Sequence, residues 1–156
     1  MVATKTLNLL PDIDSLRQLS QSLAMLDAIL CPRSDLRTYS FKAHWGAGEM
    51  MAKLDNGGGD EYFMLFDSAG AIIKGFDHAS KMSPYGNDEG KIWSGVLDAV
   101  PLEFNSFLQE PAFSIEDITF CIWRRYIDPA WNVRNITLAI LKVMKMPTAL
   151  IGCYQP

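Results

Sequence analysis

Asp77 and His78 are the residues whose types and positions offer the most chemistry in this chain of 156 residues. They follow an apolar, strand-like segment and enter a polar loop, where a carboxylate can orient an imidazole as a general base or a metal ligand. His44 is the only other histidine, and neighbouring strands can bring the two rings together. Metal sites usually take three or four ligands at recognisable spacings. The chain lacks the spacings His-x-x-x-His and His-Glu-x-x-His. A loop histidine bonded to backbone is therefore the favoured interpretation, and we predict neither catalytic residues nor metal ligands.

A second acidic pair, Asp60 and Glu61, directly follows the triple glycine at residues 57–59. Paired carboxylates can serve acid–base chemistry or bind Ca²⁺. The segment does not alternate oxygen ligands as a calcium loop does. We therefore expect a solvated turn in which Asp60 accepts hydrogen bonds from local backbone amides.

Four tryptophans are many for a chain of this length. Tryptophan is enriched at interface hot spots, but it also fills cores where a helix meets a sheet. The strand and helix patterns around Trp93 and Trp123 predict that these two lie in the core. Trp45 and Trp131 fall in predicted loops, so they are the better candidates for an interface.

The elements that must position these residues begin with a helix. Leucines recur at spacings of three and four, which places them on one face of about five helical turns. Asp12 or Asp14 can cap the start of this helix, and Cys31-Pro32 ends it, because a residue before proline avoids the helical region. The leucines concerned are Leu16, Leu19, Leu23, Leu26 and Leu30.

Alternating apolar residues and glycine turns predict a β-meander followed by helices and one more strand. Residues 77–90 read as a long polar loop, and long ordered loops are often functional. Helical spacing continues over residues 91–100 and again after Pro101. We predict a single α+β domain over residues 1–156, with an antiparallel sheet of about five strands and helices packed on one face. The predicted strands are residues 37–42, 49–55, 61–67, 71–76 and 118–126.

The composition is that of an ordinary globular protein, with 49% hydrophobic and 21% charged residues. A net charge of −4 gives no basic field for nucleic acid, so we expect no such partner. No apolar run is long enough for a membrane span, and no signal peptide is evident. Three widely spaced cysteines fit a reducing compartment. We therefore expect a cytoplasmic protein without membrane association or a cofactor.

The end of the chain changes character after Val133. Residues 136–146 are apolar with little polar face, which is typical of a buried terminal helix. Alternatively, codons can be chosen for residues 142–156 that encode an acidic stretch with Asp-Gly-Ser in another frame. We therefore hypothesise that a frameshift replaced the native end, and sequencing of the gene tests this.

Several strings of this chain resemble a family of small uncharacterised bacterial proteins. The resemblance covers about residues 36–131, and members of that family continue with an acidic end that this chain lacks. It implies no activity and no functional residue. In size, acidity and element order the chain is also loosely similar to the SMI1/KNR4-like immunity proteins of bacterial toxin systems. The strings that carry the family resemblance are Asp-Glu-Tyr-Phe at 60–63, Gly-Phe-Asp-His at 75–78, Ser-Pro-Tyr at 83–85, Glu-Pro-Ala-Phe-Ser at 110–114 and Phe-Cys-Ile-Trp-Arg at 120–124.

Three functions are consistent with these observations. The first is a non-enzymatic protein-binding module whose partner surface combines the polar loop, the glycine turn and loop tryptophans. An immunity protein is the more specific form of this function. The second is a small metal-dependent hydrolase that uses the Asp77-His78 loop with His44 and a carboxylate of residues 60–61. The third is a small-ligand binder with a pocket between sheet and helices. For the favoured first function the predicted binding residues are Trp45, Asp60, Glu61, Asp77, His78, Tyr85 and Trp131.

Overall fold

Six antiparallel strands follow one another along the chain and in space in the computed structural model, which describes residues 7, 9–86 and 89–133. The predicted meander on an antiparallel sheet is confirmed, with a short sixth strand beyond the five expected. Glycines at positive φ close the turns between β1 and β2 and between β2 and β3. The strands are β1 (Tyr39–Gly46), β2 (Glu49–Asp55), β3 (Asp60–Phe66), β4 (Gly70–Asp77), β5 (Phe120–Arg125) and β6 (Asn132–Val133).

The sheet is buried on both faces, because its central strands carry apolar side chains on each face instead of alternating apolar with polar residues. Register pairs place one row of buried residues on the first face and the adjacent row on the second. Each row belongs to its own hydrophobic cluster. The first row is Ala52, Met64, Ile73 and Ile122, and the second row is Met51, Leu65, Ile72 and Trp123.

The helix α1 (Ile13–Leu30) covers the first face of the sheet. Asp12 caps it as predicted, because its carboxylate accepts a hydrogen bond of 2.9 Å from the Ser15 amide. Within the leucine stripe, the first residue, Leu16, is buried, whereas the last, Leu30, is exposed. The C-terminal half of α1 therefore presents apolar side chains at the protein surface.

The second face is covered by the chain between β4 and β5, which contains the short helix α2 (Asn105–Gln109). The expectation that the helices share one face is therefore wrong. The helix predicted over residues 91–100 is also wrong: the segment consists of turns, and Gly95 at φ +90° breaks the helical backbone. Phe104, Phe107 and Phe113 fill this second core.

The loop after β4 is present as predicted as far as Gly86 and includes a 3-10 turn over Pro84–Gly86. No helix among the described residues is long and apolar enough to cross a membrane. The terminal helix and the frameshift predicted after Val133 concern residues outside the described part of the chain.

Candidate functional site

Three predicted site residues meet at the end of the sheet where β3 begins and β4 ends. The register pairs Asp60 with Asp77, and His78 follows directly. The His78 Nδ1 lies 2.9 Å from the Asp60 Oδ1, and the His78 backbone amide donates to the same oxygen at 3.3 Å. A Cβ added at Gly59 would lie 3.4 Å from the Cβ and Cγ of His78, which is ordinary van der Waals contact. His78 is thus held by a carboxylate although its side chain is exposed.

The turn before β3 is organised by hydrogen bonds from the side chain of Asn56. Its Oδ1 accepts from the amides of Gly58 at 2.8 Å and Asp60 at 3.1 Å, and its Nδ2 donates to the Asp60 carboxylate at 3.1 Å. Gly59 lies at φ +93°, which only glycine adopts without strain. A hydrogen bond from the Gly57 amide lowers the pKa of the neighbouring Asp55 carboxyl. The local backbone amides of this turn donate to Asp55 and Asn56, whereas the Asp60 carboxylate accepts from the Asn56 side chain and from the distant His78 amide. This differs from the prediction that Asp60 accepts hydrogen bonds from local backbone amides.

Asp77 is buried and completes a cluster of possible metal ligands. Its Oδ1 accepts a hydrogen bond of 2.9 Å from the Ala79 amide, and its own amide donates to the Thr119 hydroxyl at 3.2 Å. One ligand atom each from Asp60, Asp77 and His78 lies within 4.8 Å of the others. Two carboxylates and an imidazole are donors that suit a divalent cation.

His44 does not join this cluster. The Asp55 amide donates to the Thr38 carbonyl at 2.9 Å, so the start of β1 lies at the end of the sheet that holds Asp60. His44 lies six residues further along the chain, about 20 Å away for an extended strand, toward the opposite end of the sheet. The convergence of His44 and His78 that the hydrolase alternative requires is therefore not present, because strand order alone does not tell at which end of a strand a residue lies.

Tyr85 projects from the loop close to the same end of the sheet, with 73% of its surface exposed. Its ring packs edge-on against Phe76 with centroids 6.0 Å apart, and its hydroxyl donates to the Asp117 Oδ1 at 2.5 Å. That hydrogen bond raises the pKa of the Tyr85 hydroxyl. Phe76 pairs with Glu61 across β3 and β4, next to the Asp60–Asp77 pair. The side chain of Tyr85 is therefore exposed and yet held on two sides.

Lys74 is a buried residue of this region that the sequence analysis did not select. Its ammonium donates to the carbonyl oxygens of Phe113 and Ser114, the latter at 2.7 Å, and lies 3.7 Å from the Glu61 carboxylate. Burial lowers the pKa of Lys74, and the charge of Glu61 opposes that shift. The signal in the sequence was a single lysine inside the apolar run of β4. Lys74 ties the segment before β5 to the sheet.

The four tryptophans are distributed differently from the prediction. Trp131 has 5% of its surface exposed, and its indole N–H donates to the Pro11 carbonyl at 2.7 Å, so its predicted place on an exposed surface is wrong. Trp45 lies in β1 rather than in a loop and stacks on Phe113 with centroids 5.4 Å apart. Trp123 is buried as predicted, whereas Trp93 is 41% exposed. Of the two interface candidates, Trp45 alone is partly accessible.

Comparison of the chain with protein-family models, with curated proteins and with solved structures finds no match. The resemblance to small bacterial proteins and the likeness to immunity proteins therefore stay predictions.

Proposed function

We propose that the protein is a non-enzymatic protein-binding module that binds a partner through the end of the sheet near Tyr85. The proposed binding surface, here called the acidic-aromatic surface, consists of Asp60, Phe76, His78, Tyr85 and Asp117. The observation that carries this proposal is the position of Tyr85, which is exposed and at the same time fixed by Phe76 and Asp117. An aromatic side chain that is already ordered loses little conformational entropy on binding, which is the property of an interface hot spot.

The charges of this surface favour a basic partner. Carboxylates of Asp60, Glu61, Glu116 and Asp117 lie in or beside it. Of the ammonium groups near them, that of Lys74 is buried and that of Lys53 is paired with Asp55 and Glu61. Complementary charge speeds association and makes it sensitive to salt. With a net charge of −4 we propose a protein rather than a nucleic acid as the partner, and the cytoplasm as the compartment. The architectural likeness adds the more specific proposal that the module neutralises a toxin as an immunity protein.

The test compares capture of partners from the native host lysate by the wild-type chain and by Tyr85→Ala. Tyr126→Ala is the matched control, because Tyr126 is also exposed and its hydroxyl also lies near a carboxylate, 3.5 Å from Asp14. Loss of a hot-spot aromatic costs about 2 kcal/mol or more, so Tyr85→Ala should weaken binding of the captured partner about thirtyfold. Tyr126→Ala should leave it unchanged.

The variant Tyr85→Phe separates the ring from the hydrogen bond to Asp117, because it keeps the contact with Phe76. We expect Tyr85→Phe to bind the partner with an affinity between that of the wild type and that of Tyr85→Ala. Equal retention of the partner by wild type and Tyr85→Ala, or a partner lost only with Tyr126→Ala, would refute the proposed surface. The capture should also weaken as salt increases, because the exposed carboxylates are screened.

A divalent-cation site is the second candidate function, and the proximity of the ligand atoms of Asp60, Asp77 and His78 favours it. Three protein ligands with one open position are the arrangement of a catalytic zinc site, in which the ion would activate a bound water. Isothermal titration with Zn²⁺ tests it, with His78→Ala expected to abolish binding and His44→Ala as the control. A metal-dependent activity that is lost in His78→Ala while partner binding is retained would replace the leading proposal by this one.

A further inference from the structure

Among the residues that the structure describes, strand β1 is an edge of the sheet, because the strand order leaves it with β2 as its single neighbour. The Asp55 amide donates to the Thr38 carbonyl, and alternate residues of an antiparallel strand bond to the same neighbour. Tyr39 and Phe41 therefore direct their backbone groups away from β2. The Tyr39 amide shows this directly, because it donates to the Asp27 carboxylate of α1 at 2.7 Å. The Phe41 N–H and C=O point to the outside of the sheet.

A groove of about 560 Å³ runs between this edge and α1. Its rim includes Met25 of α1, and the exposed side chains of Ile29 and Leu36 lie close by in sequence. The lining combines aromatic side chains of β1 with small residues of the helix. The lining includes Ala24, Met25, Ala28, Arg37, Tyr39 and Phe41.

The edge is positively charged although the chain is acidic. Residues 33–44 contain three basic residues and one acid, and Asp27 of α1 adds a second acid at the Tyr39 amide, so the edge keeps a surplus of one positive charge in a protein of net charge −4. Asp35 binds Arg33 at 2.7 Å. The Arg37 guanidinium donates to the carbonyls of Cys31 and Pro32, which do not neutralise its charge.

Lys42 is the second basic residue on this edge that carries its charge outward. Its ammonium lies over the Trp45 ring, 4.8 Å from the ring centroid, and the side chain is exposed. Lys42 points to the sheet face opposite the groove, because Phe41 packs on the α1 face and successive residues alternate. A strand added to β1 would thus meet an apolar groove on one face and Lys42 on the other.

We propose that β1 binds an extended peptide segment in which apolar and acidic residues alternate. The segment adds to the sheet as a seventh strand, with its backbone bonded to Phe41. Its apolar side chains enter the groove beside Met25, and its carboxylates lie on the face of Lys42. A carboxylate at the end of the segment reaches Arg37. A second copy of this chain fits less well, because pairing β1 with β1 brings two positively charged edges together.

Synthetic peptides test this surface without knowledge of the natural partner. The probes are fluorescein-labelled octapeptides that alternate valine with glutamate, with glutamine or with lysine. Fluorescence anisotropy measures their affinity for the full chain, and amide chemical-shift changes in ¹⁵N spectra locate the contact. We expect the glutamate peptide to bind at least tenfold more tightly than the lysine peptide, with shifts at Phe41 and along α1.

Two changes separate charge from backbone pairing. Lys42→Glu should weaken the glutamate peptide about tenfold and strengthen the lysine peptide, whereas Lys81→Glu, an exposed lysine in the loop after β4, should change neither by more than twofold. N-methylation of alternate peptide amides on one edge should abolish binding, because it removes the donors that a neighbouring strand requires.

The proposal is overturned by a glutamate peptide that does not bind, by equal affinities of the three peptides, or by shifts located away from β1. Sedimentation equilibrium tests whether the chain forms a dimer. A dimer whose stability changes in Lys42→Glu, in either direction, would also overturn the proposal, because a second copy would then occupy the edge.

Discussion

Gly75 occupies a position in β4 where the ring of its cross-strand partner takes the place of a side chain. A Cβ built on Gly75 would lie 2.0 Å from the Cζ and 2.1 Å from the Cε1 of Phe120. The backbone of Gly75 does not lie in the left-handed region, so alanine meets no conformational strain there. The substitution Gly75→Ala therefore tests packing alone.

The magnitude follows from two opposing effects. Overpacking a well-packed core costs about 1–3 kcal/mol, and the upper end applies because Phe120 is buried and a rigid ring must move. Replacing glycine by alanine stabilises by about 0.4–1 kcal/mol, because it reduces the entropy of the unfolded chain. We therefore expect Gly75→Ala to lower the free energy of unfolding by about 2 kcal/mol.

Urea denaturation followed by tryptophan fluorescence measures this change, and a double-mutant cycle identifies its cause. Phe120→Leu alone should cost about 1–2 kcal/mol, and the double variant should lose less than the sum of the two, by at least about 1 kcal/mol. Gly48→Ala is the control: it adds a Cβ with no atom within 4 Å, so it should cost about 1 kcal/mol through its φ of +77° and show no coupling to Phe120. Additive losses in the cycle with Phe120→Leu would refute the steric explanation.

Three further outcomes follow from the cores and from buried titratable groups. Trp131→Ala should lower the free energy of unfolding by about 3–5 kcal/mol in urea titrations, and a loss below about 1 kcal/mol would contradict its buried position. Burial lowers the pKa of Lys74, so the unfolded chain binds more protons just below the ordinary value of 10.5 and stability should rise with pH there. Lys74→Met should remove that rise, measured as the urea midpoint from pH 7 to 10.5, and parallel curves for the two proteins would be inconsistent with it. Burial raises the pKa of the Cys121 thiol to about 12, so in a Cys153→Ala chain a maleimide should modify Cys31 in the native state and Cys121 only after unfolding, as mass spectrometry would report.

The sequence predicted the sheet well because its signals were local. The strand over residues 49–55 was predicted with its observed bounds, since alternation and the glycine turn both act within a few residues. The helix over residues 91–100 failed because its apolar spacing reflected burial of Val96 and its neighbours rather than helical hydrogen bonds. Gly95 at positive φ was the local warning against it. The leucine stripe predicted α1 but not which of its turns face the sheet, because that depends on the angle at which α1 crosses the strands.

The residues of the candidate site that lie in one turn could be selected from the sequence. The contacts between residues of distant segments could not be predicted. Asp60 and Asp77 were selected as separate loop features, and the register of β3 and β4 brings them together. Asp117 reaches Tyr85 from a segment 32 residues away, and no spacing in the sequence indicates such a contact. The sequence predicts Trp131 in an exposed loop, because the strand that follows it has two residues and the Pro11 carbonyl that binds its indole lies 120 residues earlier.

The two proposed surfaces carry opposite charges and therefore select partners of opposite charge. The meander separates the two surfaces. The acidic-aromatic surface lies where β3 begins and β4 ends, and the edge strand β1 lies beyond β2. Neighbouring strands are about 4.8 Å apart, so β1 and β4 are roughly 14 Å apart, more than the Debye length of about 8 Å at physiological salt. A basic protein at Tyr85 and an acidic peptide at Lys42 can therefore bind without strong mutual attraction or competition. This separation lets the effects of Tyr85→Ala and Lys42→Glu be assigned each to its own surface.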